Sequence, residues 1–256
     1  MPDDRIPSGP MKFISPLPLL ATFALSTLLP LAAASHSAVE PAPRRLERTW
    51  TDRQELLNKR AAEAGEKAQV VFIGDSITQG WEKEGKEVWE KYYSHRNAVN
   101  LGIGGDRTQH VLWRLDNGNI NGLKPKAAVL MIGTNNSNFE DNTPDQIADG
   151  IAAIVRKLRE KLPNTKILLL AIFPRSENYS AQRGKLAMIN QVIRRMADEQ
   201  NVYWVDFGYK FLTDEGTIPQ SLMWDYLHLS GQGYQIWAES IEPVLAKILE
   251  DKPVAK

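Results

Sequence analysis

The amino-acid sequence predicts an α/β fold, in which helices cover both faces of a mostly parallel sheet of about five strands. Two observations predict it. From Trp50 onward, short apolar runs of strand length alternate with longer segments whose apolar residues have helical spacing. The chain also has 256 residues, which is enough for one well-buried α/β domain and too few for two comfortable ones.

Five short apolar runs indicate strands that are buried on both faces. They are Gln69–Ile73, Asn97–Leu101, Ala127–Ile132, Lys166–Ile172 and Val202–Val205. Several of these runs end in loops rich in glycine and polar residues. Since parallel sheets bind their ligands at the carboxyl ends of the strands, a functional site is expected among these loops.

The segments between the strands are typical of helices. The clearest one starts at Thr143, where the capping threonine is followed by proline and Gln146 completes a capping box. A similar pair, Thr51 and Gln54, predicts that the first helix spans about Thr51 to Ala64. Further helices are predicted over Thr108–Leu115, Ala181–Gln200 and Gly231–Leu249.

The start of the chain predicts a secretory signal peptide. A positive region at Met11-Lys12 precedes the mostly apolar residues 13–31. Small residues that suit a signal peptidase follow at 32–34 and again at 37–38. The start of translation is either Met1 or Met11. An uncleaved membrane anchor is the alternative, although prolines within the apolar stretch make it a poor spanning helix.

The predicted organisation has four parts. Residues 1–38 form the signal peptide, 39–49 a linker rich in proline and charge, 50–250 the domain, and 251–256 a charged, frayed tail. We therefore expect a secreted or periplasmic protein with no stable membrane insertion after cleavage. The sequence does not indicate an oligomeric state.

The composition excludes several classes of function. Lysine and arginine total 31, as do aspartate and glutamate, so the formal net charge is zero. Nucleic-acid binders usually carry a basic surplus, and no nucleic-acid partner is expected. The chain has no cysteine, which excludes disulfides, cysteine nucleophiles and thiolate metal sites.

Ser76 is the candidate nucleophile. It follows the first predicted strand in the sequence Gly74-Asp75-Ser76, and a serine at a strand-to-helix turn projects its hydroxyl above the sheet. The alternative is a helix N-cap, a role that both Asp75 and Ser76 suit. The ordinary α/β-hydrolase turn has glycine two positions after the serine, but Thr78 stands there.

Among the four histidines, His228 alone has a well-placed acid partner. It lies three residues after Asp225 in a predicted turn, so the carboxylate can fix one ring nitrogen and leave the other as a proton acceptor. The alternative is a capping aspartate beside a surface histidine. His95 lies in a polar surface stretch. His110, four residues after Asp106, lacks enough partners for a metal site and is expected to pack.

Two strand-end loops offer donors for a developing oxyanion. Residues 102–106 read Gly-Ile-Gly-Gly-Asp, and glycines allow a backbone amide to approach a ligand closely. Arg107 breaks the dinucleotide-binding pattern. In the loop 133–136, the side-chain amide of Asn135 can donate to an oxyanion. A plain turn is the alternative for both loops.

Taken in order, these residues resemble the SGNH, or GDSL-type, hydrolase family. The resemblance rests on Gly74-Asp75-Ser76, the glycine turn ending at Gly105, Gly133-Thr134-Asn135-Asn136, and Asp225 with His228. Residues 100–115 and 226–230 are most similar to the branch of the platelet-activating-factor acetylhydrolase catalytic subunits. Asn136 is a departure, because the family commonly has aspartate there.

The resemblance implies a flavodoxin-like, three-layer α/β/α sandwich and a serine esterase that requires neither cofactor nor metal. Ser76 would be the nucleophile, His228 the general base and Asp225 its orienting acid. The main-chain amides of Ser76 and Gly105, with the side chain of Asn135, would form the oxyanion hole.

The expected reaction removes a short acyl group, acetyl above all, from an ester outside the cytoplasm through an acyl-serine intermediate. A small-molecule or carbohydrate ester, such as an acetylated sugar, is the expected substrate. Trp81 and Trp224 are candidates for binding it, with core filling as the alternative. Two other functions stay open: a lysophospholipase or thioesterase of the same family, and a non-catalytic glycan-binding module on this fold.

Overall fold

A parallel sheet of five strands lies at the centre of the fold, as the sequence predicts. The computed structural model describes residues 35–44, 46–138 and 141–255. The strands are β1 (Val70–Gly74), β2 (Val99–Gly102), β3 (Ala127–Met131), β4 (Lys166–Leu170) and β5 (Val202–Val205). Their order is β2-β1-β3-β4-β5, and each neighbouring pair is parallel. The order reverses between β1 and β3, so their carboxyl ends flank the crevice where such sheets bind ligands.

Helices cover both faces of the sheet. Within the described residues they are α1 (Arg48–Ala64), α2 (Ser76–Gln79), α3 (Lys86–Tyr92), α4 (Thr108–Asp116), α5 (Pro144–Lys161), α6 (Ala181–Ile193) and α7 (Gly231–Leu249). Apolar residues of α1, α4, α5 and α6 form one core with the sheet, and those of α3 and α7 form the other. In β1, Val71 and Ile73 face the first core while Val70 and Phe72 face the second. The result is the three-layer α/β/α sandwich.

Two helix starts show how local signals compete with packing. At α5 the predicted capping box is confirmed, because Gln146 N–H donates to Thr143 Oγ1 at 3.3 Å and Thr143 N–H donates to Gln146 Oε1 at 3.1 Å. At α1 the helix begins at Arg48, so Thr51 lies within it and does not cap it. Trp50 is buried in the first core, which extends α1 beyond the predicted start.

Helix α6 ends at Ile193, earlier than the sequence predicts. The reason is a turn built on Asp198, whose Oδ1 accepts hydrogen bonds from the main-chain N–H groups of residues 200–202. These bonds direct the chain into β5 and compete with continued helix.

An N-terminal segment (residues 35–44) packs against the start of α4. Ala38 is fully buried, and its carbonyl oxygen accepts a hydrogen bond from Thr108 Oγ1 at 2.7 Å. The Ala42 N–H donates to the Gln109 carbonyl oxygen at 3.2 Å. Residues 39–49 are therefore not the free linker that the sequence predicts. The first half of this range contacts the domain, and its last residues belong to α1.

Most of the predicted signal peptide, residues 1–34, lies outside the described residues. In the part of the chain that is described, no helix is long and apolar enough to cross a membrane.

The C-terminal tail also contacts the domain. Arg96, which is 1% exposed, donates from Nε to Asp251 Oδ2 at 2.9 Å and forms two 2.7 Å hydrogen bonds with Glu242 of α7. The Val254 N–H donates to Glu242 Oε1 at 2.7 Å. The tail predicted to fray from residue 251 is therefore held through Val254 by a buried cluster of charges.

Candidate active site

The turn after β1 presents Ser76 at the carboxyl end of the sheet. Asp75 takes the N-cap position of α2, and its Oδ1 accepts a hydrogen bond from the Ile77 N–H at 3.0 Å. Ser76 is the first residue of α2, so its own N–H has no intrahelical acceptor. Because Asp75 caps the helix, the Ser76 hydroxyl is available for another partner.

Ser76, His228 and Asp225 form one hydrogen-bonded chain. His228 Nε2 lies 2.8 Å from Ser76 Oγ, and His228 Nδ1 lies 2.7 Å from Asp225 Oδ2. The other carboxylate oxygen of Asp225 accepts from the main-chain N–H groups of Leu227 and His228 at 3.1 and 2.7 Å. One oxygen therefore builds the turn and the other orients the ring, which leaves Nε2 positioned to accept the serine proton.

The two carboxyl groups near Ser76 have opposite electrostatic environments. Burial alone would raise the pKa of Asp225, but hydrogen bonds from the His228 ring and the main chain outweigh it and lower that pKa below its ordinary value. Burial raises the pKa of Asp75 to about 7, against the lowering effect of its hydrogen bond from Ile77. Asp225 is thus the carboxyl group that remains ionised at mildly acidic pH.

The glycine turn after β2 passes beside Ser76. A Cβ atom built on Gly104 would lie 3.7 Å from Ser76 Cβ, and Gly105 has φ of +75°, a conformation that favours glycine. Asn135 Nδ2 donates to the Asp106 carbonyl oxygen at 2.9 Å, which uses one of its two N–H groups. The structure therefore brings Ser76, Gly105 and Asn135, the three oxyanion donors that the resemblance implies, to one rim of the sheet.

A buried ionic network supports the glycine turn. Asp106 Oδ2 accepts from Arg114 Nε at 2.7 Å, and Asp106 Oδ1 accepts from Trp50 Nε1 at 2.7 Å. Arg114 also donates to the Leu101 carbonyl oxygen at 3.0 Å. The sequence alone does not predict these supporting residues, because Trp50 and Asp106 are 56 positions apart and meet only in the folded protein.

Asn136 and His110 hold the start of α4. Asn136 is buried, and its Oδ1 accepts from the Thr108 N–H at 2.9 Å. His110 Nδ1 accepts from the Arg107 N–H at 3.0 Å, which agrees with the predicted packing role. Burial, reinforced by nearby arginines, lowers the pKa of His110 to about 3, so its ring is neutral. Neither side chain is hydrogen-bonded to Ser76.

A cavity of about 230 Å³ opens beside the Ser76 hydroxyl. Trp224 is 51% exposed at its edge, and its ring stacks on that of His228 with centroids 5.7 Å and planes 19° apart. The residues that line the cavity are Ser76, Gln79, Gly80, Lys83, Glu84, Trp224, His228 and Tyr234.

Trp81, the other tryptophan predicted to contact substrate, is a core residue. It is 1% exposed and packs against Phe72, Tyr93, Tyr234 and Trp237. The short 3-10 turn over Gly80–Glu82 directs its ring toward α7. The prediction of a substrate contact at Trp81 is therefore corrected in favour of core filling.

This arrangement suits acyl transfer. A histidine hydrogen-bonded to a serine hydroxyl can remove its proton, and donors beside the serine can stabilise the oxyanion that forms at the attacked carbonyl. Among the described residues, no group of three or more histidines and carboxylates could hold a metal ion.

The sequence is similar to those of known acylhydrolases. The profile of the GDSL-like lipase/acylhydrolase family matches residues 72–236. Platelet-activating factor acetylhydrolase IB subunit alpha2 from Rattus norvegicus is 38% identical over 188 residues, which cover 73% of this chain and 80% of that protein. Subunit alpha1 from Homo sapiens is 37% identical over 182 residues, which cover 71% of this chain and 77% of that protein.

Solved structures share the fold at lower identity. A GDSL-like lipase from Bacteroides thetaiotaomicron has a TM-score of 0.63 at 19% identity, covering 76% of this chain and 97% of that one. An acetylxylan esterase from Geobacillus stearothermophilus has a TM-score of 0.57 at 21% identity, covering 75% and 98%. These two likenesses concern the fold alone. On the match over residues 72–236 and the 38% identity to an acetylhydrolase subunit, the chain belongs to the GDSL-like lipase/acylhydrolase family, a family of carboxylic ester hydrolases.

Proposed function

We propose that this protein removes a short acyl group, acetyl above all, from an extracytoplasmic ester, with Ser76 as nucleophile, His228 as general base and Asp225 as the orienting acid. The observation that carries the proposal is the continuous chain from Ser76 Oγ to His228 at 2.8 Å and on to Asp225 at 2.7 Å. Such a chain activates a hydroxyl that is otherwise a weak nucleophile at neutral pH.

The reaction proceeds in two steps. In the first, His228 Nε2 takes the Ser76 proton as Oγ bonds to the ester carbonyl carbon, and the carbonyl oxygen becomes an oxyanion held by Ser76 N–H, Gly105 N–H and Asn135 Nδ2. The tetrahedral intermediate collapses, the C–O bond to the alcohol breaks, and His228 protonates the leaving oxygen. In the second, water attacks the acyl-serine by the same route and releases the acid.

Two features support a short acyl group. The cavity beside Ser76 measures about 230 Å³, and Gln79, Lys83 and Glu84 contribute polar side chains to its wall. This volume lies below the roughly 300–1,000 Å³ of pockets that hold drug-sized ligands, so the cavity suits a small acyl group better than a long chain. The related platelet-activating factor acetylhydrolase subunits, which are 38% and 37% identical to this chain, are also named for an acetyl group.

The exposed ring of Trp224 supports a carbohydrate as the alcohol part of the ester. A flat aromatic surface beside the nucleophile offers apolar area to one face of a sugar ring, while Lys83 and Glu84 can hydrogen-bond its hydroxyls. A small-molecule acetate would use the same cavity without this stacking contact.

The proposed location outside the cytoplasm rests on the sequence of residues 1–34. Of the two cleavage positions, the contacts of Ala38 favour the one after Ala34, because cleavage after Ala38 would remove a buried residue and its hydrogen bond to Thr108. Intact-mass analysis of the exported protein tests this choice, and a chain that begins after Ala38 would contradict it.

A Ser76→Ala variant tests the mechanism. With p-nitrophenyl acetate, kcat should fall by a factor on the order of 10⁴–10⁶ while the protein stays folded. Ser94→Ala is the matched control, since Ser94 is exposed and precedes β2, and within the described residues its hydroxyl hydrogen-bonds only to Glu90. Wild-type turnover by the Ser76 variant would exclude this nucleophile.

A substrate series tests the acyl and alcohol preferences. Nitrophenyl esters of increasing chain length should give the highest kcat/KM with acetate, and acetylated xylo-oligosaccharides should release acetate. Highest activity on long-chain esters would indicate a lysophospholipase or thioesterase instead. Absence of both turnover and fluorophosphonate labelling at Ser76 would indicate a non-catalytic binding module.

A further inference from the structure

The peptide unit that joins Gly104 to Gly105 carries the proposed oxyanion donor, and its neighbours hold it on three sides. The Gly104 N–H donates to Gln79 Oε1 at 2.7 Å. The Asp106 N–H donates to the Ile103 carbonyl oxygen at 3.2 Å, and the Asp106 carbonyl oxygen accepts from Asn135. Among the described residues, the Gly105 N–H has no acceptor, which leaves it to face a ligand.

Arg44 binds the other side of this peptide unit. Its Nη1 donates to the Gly104 carbonyl oxygen at 2.8 Å. In a trans peptide, that oxygen and the Gly105 N–H belong to one plane and point in opposite directions. A hydrogen bond that fixes the carbonyl oxygen therefore also fixes the direction of the Gly105 N–H, and a positive donor on the oxygen strengthens the N–H as a donor.

The Arg44 guanidinium is itself held in place. Its Nε donates to Glu47 Oε1 at 3.0 Å, and a second short hydrogen bond joins it to the same carboxylate. Nη1 also lies 4.0 Å from Asp106 Oδ1, and the side chain is only 21% exposed. A Cβ atom on Gly105 would lie 2.8 Å from Arg44 Nη1, which confirms how closely the guanidinium approaches this residue, while the φ of +75° is what favours glycine there.

We infer that Arg44, supplied by the N-terminal segment, is a positioning residue that orients the Gly105 N–H toward the oxyanion. This inference rests on the proposed function and on the contact of Arg44 with the Gly104 carbonyl oxygen. Arg44 touches neither substrate nor reacting atoms. Its effect is therefore expected on the stabilisation of the tetrahedral intermediate and not on substrate binding.

The test compares three variants of the full chain. Arg44→Met removes the donor and keeps much of the apolar stem, and Arg44→Lys keeps a positive donor. Arg48→Met is the matched control, because the Arg48 side chain is 93% exposed and, in the described part of the chain, forms an ion pair only with Asp52 at 3.8 Å. Each variant is measured for kcat and KM with p-nitrophenyl acetate, and for inhibition by phenylboronic acid, which forms a tetrahedral anionic adduct with an active serine.

For Arg44→Met we expect kcat to fall about tenfold, while KM stays unchanged within about twofold. This fall in kcat is smaller than the factor of roughly 10²–10³ that removal of a whole oxyanion donor causes, because the Gly105 N–H is still present. The inhibition constant of phenylboronic acid should rise by about the same tenfold, because the adduct resembles the transition state. Arg44→Lys should lose no more than about threefold in each quantity, and Arg48→Met should match wild type.

Unchanged kcat and boronate inhibition in Arg44→Met would overturn the inference, as would a loss confined to KM. If Arg44→Met does not fold, Arg44→Gln takes its place, because its shorter neutral side chain also removes the guanidinium donor. Unchanged kcat and unchanged boronate inhibition in a folded Arg44→Gln would overturn the inference in the same way. Failure of the proposed function has a different signature, namely a wild-type protein without ester turnover or boronate inhibition.

Discussion

Asp75 and Asp225 show how two carboxyl groups on one rim are assigned different tasks by their surroundings. Asp225 is partly exposed and accepts three hydrogen bonds, so it stays charged and orients His228. Asp75 is 1% exposed, accepts from Ile77 and caps α2. The residue before the nucleophile thus serves the turn that presents Ser76, and its protonation is coupled to the stability of the fold.

The raised pKa of Asp75 predicts a specific pH dependence. Burial raises it from 3.8 in the unfolded chain to about 7 in the folded protein, so the folded protein binds this proton more tightly. The resulting stability is fully present below about pH 4 and is lost as the pH rises through about 7. We expect the wild-type free energy of unfolding to fall over this range relative to that of Asp75→Asn, whose amide is neutral and keeps an acceptor for Ile77.

Urea unfolding at several pH values between 4 and 7.5 measures this difference. A difference between the two proteins that stays constant with pH would show that Asp75 titrates normally in the folded state.

The two tryptophans predicted to bind substrate differ in exposure and should respond differently to truncation. Trp81→Ala leaves a large void in the core, and we expect the free energy of unfolding to fall by about 3–5 kcal/mol. Trp224→Ala should cost less than about 1 kcal/mol, because half of its surface is already exposed. For an acetylated xylo-oligosaccharide, Trp224→Ala should raise KM by about two- to tenfold.

Equal KM values for the oligosaccharide in wild type and Trp224→Ala would argue against stacking on a sugar. Urea unfolding measures the stability of both variants. If Trp81→Ala had the same free energy of unfolding as wild type, Trp81 would not be a core residue.

At the scale of elements, the sequence was sufficient to predict interactions between residues that are close together along the chain. The capping box at Thr143, the apolar runs of the strands and the spacing of Asp225 and His228 involve residues a few positions apart, and the structure contains each of them. Helix α3 was not predicted because its seven residues are too few to establish a helical period.

Long-range contacts account for what the sequence could not show. Arg44 reaches Gly104 across 60 positions, and Trp50 reaches Asp106 across 56. The sequence separation of these pairs follows no recognisable pattern, so nothing distinguishes Arg44 or Trp50 in the sequence from other arginines and tryptophans. The nucleophile and its partners could therefore be proposed from the sequence, whereas the residues that orient the glycine turn required the fold.

The cluster that joins α7 to the turn before β2 provides a test at this scale. Arg96 and Glu242 are both nearly fully buried, so Arg96→Met leaves the Glu242 carboxylate without a positively charged partner inside the protein. We expect a loss of about 3–5 kcal/mol in the free energy of unfolding. Asp251→Asn should cost about 1 kcal/mol or less, because Asp251 is one-third exposed.

Combining Arg96→Met with Glu242→Leu should recover a large part of the loss, since no buried charge then remains unpaired. Urea unfolding measures all three proteins. If the single Arg96 variant were as stable as wild type, the buried pair would contribute nothing to the attachment of α7.

At the scale of the whole molecule, the N-terminal segment completes the rim that holds the candidate site. It crosses from Gly150 on α5, where an added Cβ atom would lie 2.7 Å from the Ala38 carbonyl oxygen, to the glycine turn. Ser37 Oγ accepts from Asn142 Nδ2 at 3.0 Å on the way. The sequence assigns this segment to a signal peptide and a linker. In the structure it is part of the domain, and its packing affects the geometry of the oxyanion donors.

A pair of proteins, one beginning at Ser35 and one at Leu46, tests this link. The shorter protein loses the hydrogen bonds of Ser37, Ala38, Ala42 and Arg44 to the domain, each worth about 1 kcal/mol. The combined loss of about 4 kcal/mol should lower Tm by roughly 8–16 °C. Its kcat for p-nitrophenyl acetate should fall at least as far as that of Arg44→Met, about tenfold.

Ser37→Ala in the longer protein is a graded control, because it removes one hydrogen bond and leaves Arg44 in place. It should lower Tm by no more than about 4 °C and leave kcat unchanged. The segment contributes both to stability and to the position of the Gly105 N–H. The fall in Tm and the fall in kcat should therefore occur together in the shorter protein, whereas Ser37→Ala should lower Tm alone. If the two truncated proteins shared one Tm and one kcat, residues 35–44 would have no part in the folded domain.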